Sequence, residues 1–483
     1  MRTFLLNDGN GYRFWNVAVK GKAHTVTFGK SGTAGQSKTK PFATPAAARA
    51  AADKLIADRL ARGYIETTPK VLSPEETAFE DALRANPHDF ATWCAYADWL
   101  EEKGDPRGTF MQVQLALEDT ARPTKERNAL KKQERELLLA HAPEWLGPFA
   151  EFALNPDLDT VHCTYTRGWL NRIEFDNLTV AQARALGGAS AARLLRELEI
   201  GAVEMENPIG RKVTHVDWYY LPGPDVPKTV DWTGEPGLHA LLRCPHLAGV
   251  RSFQLGGTGT PNLTGQNEEL ESASVSGALA HEFAKAMPNL EELYIEAPDV
   301  DADKLFTLRL PELRVLMLYH STNYPLAKLA ANPSLTNLTA LLCHPHAMEY
   351  DDATTGAYIR LAQLRAVCRS EHLPALTNLR LRLTDFGDAG AAEIVASGIL
   401  KRLKILDLRG GCITDAGAKT LADSPDLKNL AILNLRANAL TKTGKALIKA
   451  TGVKADTGLQ HQMESDEFGE GALPEYLFDG DME

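Results

Sequence analysis

Leu376-Thr377-Asn378-Leu379-Arg380-Leu381, Leu403-Lys404-Ile405-Leu406-Asp407-Leu408 and Leu430-Ala431-Ile432-Leu433-Asn434-Leu435 share one spelling, Leu-x-x-Leu-x-Leu, at a spacing of 27 residues. The third runs on to Asn438 and Leu440. Alternating leucines read as a short strand with one apolar edge. A unit of this size cannot bury that edge by itself and must stack on its neighbours. Tracing the spelling backwards gives six further candidates: Leu170/Ile173/Phe175, Leu195/Leu198/Ile200, Val250/Phe253/Leu255, Leu290/Leu293/Ile295, Leu313/Leu316/Leu318 and Leu338/Leu341. The late strands are each followed by a helical pattern, at residues 387–399, 415–421 and 443–450.

The full spelling through Asn438 and Leu440 resembles a leucine-rich repeat of the longer, ribonuclease-inhibitor-like type. The resemblance implies a solenoid over residues 166–455, with parallel strands on a concave face and helices on the convex face. Insertions interrupt it near residues 201–246, 256–280 and 343–374. Alternation turns two columns of residues away from the buried leucines, onto the concave side. One holds Tyr294, Met317, Arg380, Asp407 and Asn434; the other holds Glu296, Tyr319, Arg382, Arg409 and Arg436. Arginines stacked on adjacent strands repel unless anions intervene, so these ten residues read as a face that docks a protein partner.

Charge is unevenly spread along the 483 residues. Residues 1–68 carry 11 Lys/Arg against 4 Asp/Glu, the remainder 41 against 59, and the last stretch from Ala455 carries nine acids and no base. A basic head points to an anionic partner. Tyr12 to Val19 and His24 to Phe28 read as strands, and Thr44-Pro45 as the capped start of a helix stopped by Gly63. Between them lies the glycine-punctuated, cationic run 28–40.

Phe28-Gly29-Lys30, the run Gly32-Thr33-Ala34-Gly35-Gln36, Lys38-Thr39-Lys40, Phe42, Lys54-Leu55-Ile56 and Gly63-Tyr64 resemble a WGR domain over nearly the whole head. The resemblance implies a small sheet packed on a helix, and nucleic-acid contact in which an aromatic ring packs on a nucleotide and basic residues meet phosphates. On these positions Lys20, Lys22, Phe28, Lys30, Lys38 and Lys40 would carry it. The name-giving Trp and Arg are here Phe28 and Lys30. Phe can still stack on a base, while Lys lacks the bidentate fork of Arg. Gly29, Gly32 and Gly35 lack the Gly-Lys-Ser/Thr ending of a nucleotide loop.

Residues 70–165 read as a helical adaptor. Ser73-Pro74-Glu75-Glu76 has the spelling of a capping box. Tyr96-Ala97-Asp98-Trp99-Leu100-Glu101-Glu102-Lys103-Gly104-Asp105-Pro106-Arg107-Gly108 resembles a short companion domain found beside repeats in planctomycete-type bacteria. Asp98, Glu101, Glu102 and Asp105 read as a solvated helix face rather than a metal site. Six scattered cysteines without Cys-x-x-Cys fit a reducing cytoplasm. Cys343, His346, Cys368 and His372 have zinc-ligand types and spacing, but a repeat strand and a helix core explain both cysteines as readily. No cofactor motif and no catalytic constellation is legible, so an enzyme is not expected.

The expected architecture is α/β and modular: WGR-like head at 1–68, helical adaptor at 70–165, repeat solenoid at 166–455 and acidic tail at 456–483. No apolar run is long enough to span a bilayer. Tyr476-Leu477-Phe478, flanked by acids, reads as a peptide that docks on the arginine column or the head. The leading functional expectation is a bacterial, cytoplasmic, non-catalytic scaffold or sensor that binds a protein on the concave face, with the head tethering nucleic acid. A second is a regulator whose primary ligand is DNA or RNA. A third is an accessory subunit or substrate of a bacterial defence protease or ATPase system.

Overall fold

Aromatic and β-branched residues at alternate positions build the head. In the computed structural model the described residues are 1–7, 12–30, 35–66, 72–155, 160–203, 205–206, 212–213, 236–257, 275–297, 300–319, 324–345, 359–461, 463–465 and 472–474. They fall in two compact units, one within 1–199, 203–213 and 235–250, the other within 200–202 and 251–483.

In the first unit, β1 (Arg2–Asn7), β2 (Tyr12–Lys20), β3 (Ala23–Lys30), β4 (Gln36–Pro41) and β5 (Ile65–Glu66) form an antiparallel sheet in the order β4-β3-β2-β1-β5. Phe4, Trp15, Val17 and Val26 share one face and pack on Ala52 and Ile56 of α1 (Pro45–Leu60). Thr44 caps α1 by accepting the Ala47 N–H at 3.1 Å. Gly63, at φ +84°, turns the chain into β5.

The adaptor supplies α2 (Pro74–Ala85), α3 (Phe90–Glu102), α4 (Pro106–Glu118), α5 (Thr124–Leu146) and α6 (Ala150–Ala153). Gly104, at φ +73°, ends α3, and the Asp105 carboxylate caps α4 through the Arg107 N–H at 2.9 Å. A Cβ on Gly108 would lie 2.5 Å from the Glu101 backbone nitrogen and 2.6 Å from the Ala97 oxygen, so only glycine allows this α3–α4 approach. Tyr96, Leu100 and Trp93 form a core with Trp169 and Leu194. The sequence motif 96–108 is thus explained as two caps, a helix crossing and a core.

Ser73 accepts the Glu76 N–H, but Glu76 does not close the expected box; its carboxylate pairs with Arg193 at 2.8 Å. Glu80, fully buried, accepts from Arg84, Arg193 and Tyr96. A buried carboxylate needs several donors, and three satisfy it here.

Chain 70–165 is not helical throughout. β6 (Val161–Thr166) pairs antiparallel with β7 (Trp169–Leu178) through a turn at Arg167-Gly168, both at positive φ. Its alternation, Val161-Cys163-Tyr165, is too short to outweigh the helical pattern before it. Then follow α7 (Val180–Leu186), β8 (Glu197–Val203), the short pair β9 (Met205–Glu206) and β10 (Lys212–Val213), and α8 (Pro236–Leu241).

The second unit holds a large parallel sheet. Its strands β11 (Ser252–Leu255), β12 (Glu292–Glu296), β13 (Val315–Tyr319), β14 (Ala340–His344), β15 (Asn378–Leu381), β16 (Ile405–Asp407), β17 (Ile432–Asn434) and β18 (Ala455–Asp456) pair in sequence order. The register puts Leu293, Leu316, Leu341, Leu379, Leu406 and Leu433 in one row, each at most 2% exposed. That is the row the spelling implies. Helices α9 (Ala280–Ala286), α10 (Ala302–Leu305), α11 (Leu326–Ala330), α12 (Leu361–Cys368), α13 (Gly387–Ser397), α14 (Asp415–Ala422) and α15 (Lys442–Ala450) fall between the strands. Among the described residues no helix is long and apolar enough to cross a membrane.

Side-chain bonds tie successive repeats together. Asp388 accepts the Thr414 N–H at 2.8 Å, the Thr414 hydroxyl at 2.7 Å and the Gly417 N–H at 2.9 Å. Asp415, 27 residues on, takes the Thr441 N–H at 2.9 Å, the Thr441 hydroxyl at 2.5 Å and the Gly444 N–H at 3.0 Å. Asn438, fully buried, accepts from the Gly411 and Ile413 N–H groups and donates to the Leu408 and Arg436 carbonyls.

Of the insertions expected from the spacing, residues 207–211, 214–235, 258–274 and 346–358 lie outside the described residues. So does Tyr476-Leu477-Phe478; of the tail beyond His461, β19 (Met463–Ser465) and β20 (Ala472–Pro474), an antiparallel pair, are described.

Candidate nucleic-acid interface and repeat face

The head's register sorts the six candidate residues. Trp15 lies opposite Phe28, Phe28 opposite Gln36, Val26 opposite Lys38, His24 opposite Lys40 and Arg13 opposite Lys30. Paired residues share a face, so Phe28, Lys30, Lys38 and Lys40 lie on the face that carries Trp15 and Val26. Lys20 falls on the other face, and Lys22 sits in the turn between β2 and β3. All five lysines are exposed, while Phe28 is half-buried against the head's core. β4 is an edge strand exposed along its whole length. Lys38 Nζ stands 5.5 Å above the Phe28 ring, and Lys40 Nζ 5.5 Å above Phe42. Each ring steadies an ammonium while leaving its protons open. Gly35, at φ +65°, lies so close to Phe28 that a Cβ would stand 2.8 Å from the Phe28 carbonyl oxygen.

The repeat columns occur in the expected register but not in the expected setting. Tyr294, Met317, Leu342, Arg380, Asp407 and Asn434 do form one lateral row. The expectation of an open face is corrected for most of them. Arg382 is fully buried, Arg380 is 2% exposed, and Tyr294, Met317, Tyr319, Asp407 and Asn434 are buried too. Tyr294, Val315, Met317, Tyr319 and Leu342 form an apolar cluster. Lateral packing of large side chains on closely spaced strands shields each from water. Arg382 is neutralised by Asp407, with Nε and Nη2 at 3.0 and 2.9 Å from Oδ2. Glu296 and Arg409 are half-buried, and of the ten candidates Arg436 is the exposed one.

Of the four weak metal-ligand candidates, the three described ones are not gathered. Cys343 lies in the row of Leu318 and Leu381 and faces the core. Cys368 is buried on α12, and burial pushes its thiol up to about 12. Thiols held protonated in this way are poor zinc ligands. His372 is half-buried, and its N–H donates to Ser370 Oγ. His346 lies outside the described residues. Among the described residues no three His, Cys, Asp or Glu side chains are grouped to hold a metal. Asp98 and Glu101 instead accept from the Gln112 amide at 3.0 and 2.9 Å.

The titrating group with the clearest consequence was not picked out in the sequence. Burial, and then the charges of Arg193 and Arg84, push the His246 imidazole down to about 4. Unfolded, it takes a proton near pH ~6.5. The unfolded chain therefore binds the extra proton first, and stability present above about pH 6.5 is lost as pH falls toward about 4. His246→Gln should flatten this part of the acid limb in urea unfolding followed by tryptophan fluorescence. An acid limb of unchanged slope in the variant would refute the assignment.

Comparison with known proteins gives matches at two places in the chain. The WGR domain model matches residues 2–71, and a Leucine Rich repeat model matches residues 402–422. Protein YehF of Escherichia coli (strain K12) is 38% identical over 78 residues, which cover 16% of this chain and 28% of YehF. The match thus spans under a third of that protein's length. The crystal structure of a Bacteroides fragilis protein aligns over 95% of this chain and 97% of its own, at 16% identity and a TM-score of 0.38. The chain carries a WGR domain at its N-terminus and a leucine-rich repeat near residue 402, within a mixed α/β fold that has a large parallel sheet.

Proposed function

We propose that this chain is a non-catalytic bacterial tether whose head contacts nucleic acid and whose repeats engage a protein in the cytoplasm. The observation that carries the reading is the placement of Phe28, Lys30, Lys38 and Lys40 on one face beside the exposed edge strand β4. Lysines there meet backbone phosphates, and a half-buried ring offers a stacking platform. WGR domains are of a nucleic-acid-binding type and leucine-rich repeats serve protein interaction, which supports both halves. On the repeat side, Arg409 and the exposed Arg436 offer an acidic partner its entry.

The test is binding of a short DNA duplex and of a single-stranded RNA as a function of salt. The triple variant Lys30→Gln/Lys38→Gln/Lys40→Gln should lower the slope of log affinity against log salt by about 2 to 3. Phe28→Ala should weaken binding with the slope unchanged. Salt-independent binding, or a triple variant with the wild-type slope, would refute the head as the contact. Capture of partners from cytoplasm with and without nuclease then separates the two halves. A partner retained after nuclease, and lost on Arg436→Glu, is the result expected of the repeats.

A further inference from the structure

The motif 96–108 does more than close a core. The N-terminal turns of α2 and α4 both reach the wall of one cavity of about 760 Å³ in the first unit. Ser73 and Asp105, their caps, line it together with Trp99, Lys103, Arg107 and Trp145. The guanidinium of Arg107 lies between the rings of Trp169, at 4.4 Å, and Trp145, at 5.2 Å. Its Nη2 donates to Ser190 Oγ at 3.2 Å, and its Nε is buried without a partner. The side chain is 4% exposed, and no ion pair to a carboxylate is formed among the described residues.

This placement is electrostatically unfavourable as it stands. A cation sits in the first turn of a 13-residue helix, where the dipole is positive, and a second cation, Arg193, is near. Arg193 has its own counter-charges in Glu76 and Glu80. The contacts with two indoles supply no full counter-charge, and the nearby Asp105 carboxylate offsets the two cations only in part. Lys103, exposed and 5.6 Å from the Trp99 ring, adds a third cation at the rim. Among the acids of the wall, Glu76 pairs with Arg193, Glu66 with Arg2, and Asp105 caps α4. Glu75 and Glu144 remain exposed and repel anions in proportion to their charge, a polyanion most.

We propose that this cavity binds a small molecule bearing a single oxyanion, carboxylate or phosphate monoester, which pairs with Arg107 and Lys103 while its body lies against Trp99 and Trp145. The size is that of an ordinary ligand site, and the lining sets Trp99 and Trp145 among charged side chains of both signs, a wall suited to a small polar ligand. This inference is independent of nucleic-acid contact at the head.

The full chain is titrated with acetate, inorganic phosphate and tripolyphosphate at constant ionic strength, followed by tryptophan fluorescence and thermal midpoint. Acetate or phosphate should saturate in the millimolar range, the tighter of the two naming the group, and tripolyphosphate should bind no tighter than phosphate. Lys103→Glu should weaken the tighter ion about tenfold. Arg107→Gln should abolish binding, and Lys30→Gln/Lys38→Gln/Lys40→Gln should leave it intact. Arg107→Gln can fail by unfolding, and Lys103→Glu then decides. No saturable response to acetate or phosphate, affinity rising with the charge of the anion, or an unaltered Lys103→Glu variant overturns the proposal.

Discussion

Replacing Asn438 by alanine should destabilise the second unit by about 4 kcal/mol. The amide makes four hydrogen bonds, two accepted and two donated, in a fully buried site. Alanine leaves two N–H groups and the Leu408 carbonyl unsatisfied, while the Arg436 carbonyl keeps the Gly410 N–H; each lost partner costs about 1 to 3 kcal/mol if no water enters, with relaxation returning part of this. Urea unfolding followed by far-ultraviolet circular dichroism gives the magnitude. Hydrogen exchange at Gly411 and Ile413 gives the place, because their amides lose the acceptor. A loss under about 1 kcal/mol, or unchanged protection at both amides, would show that the bonds add little.

Arg382 and Asp407 should behave as a unit. Arg382→Met strands a buried carboxylate and should cost about 3 to 5 kcal/mol. Asp407→Leu removes the carboxylate that pairs with the guanidinium. The double variant should cost less than the two singles together by at least about 1 kcal/mol, since apolar groups of similar size replace a desolvated pair. A double-mutant cycle measures this coupling. Additive losses would show that the two side chains act independently despite their 2.9 Å contact.

The register of the parallel sheet was legible because period arithmetic depends only on spacing. Once Leu379, Leu406 and Leu433 form a row, Arg380, Asp407 and Asn434 must form the next. Burial was not legible, since alternation says which way a side chain leaves the strand and not what lies over it. The buried Arg382 therefore looked like an open cation. The helix starts at Thr44 and Ser73 were readable from cap chemistry, whereas the return contact of Glu76 was lost to Arg193, which is 117 residues away in sequence. In the head, alternation separates Lys20 from Lys30, Lys38 and Lys40 only once strand pairing is known. The Arg107 cage escaped notice because Trp145 and Trp169 come from distant segments, although the run Gly104-Asp105-Pro106-Arg107-Gly108 marked the place.

The carboxylates of Asp388 and Asp415 give the repeat stack a direction. Each reaches toward the C-terminus, holding the threonine that starts the next helix. The two ends of a shortened array would then fray differently. A cut that removes Asp388 leaves α14 with its threonine unsupported, so the new first repeat is weakened at its helix start. A cut after α14 leaves Asp415 with water in place of Thr441 and Gly444, and no helix start is harmed. Trimming from the C-terminal side should therefore cost less per repeat than trimming from the N-terminal side, an asymmetry set by three hydrogen bonds at each joint.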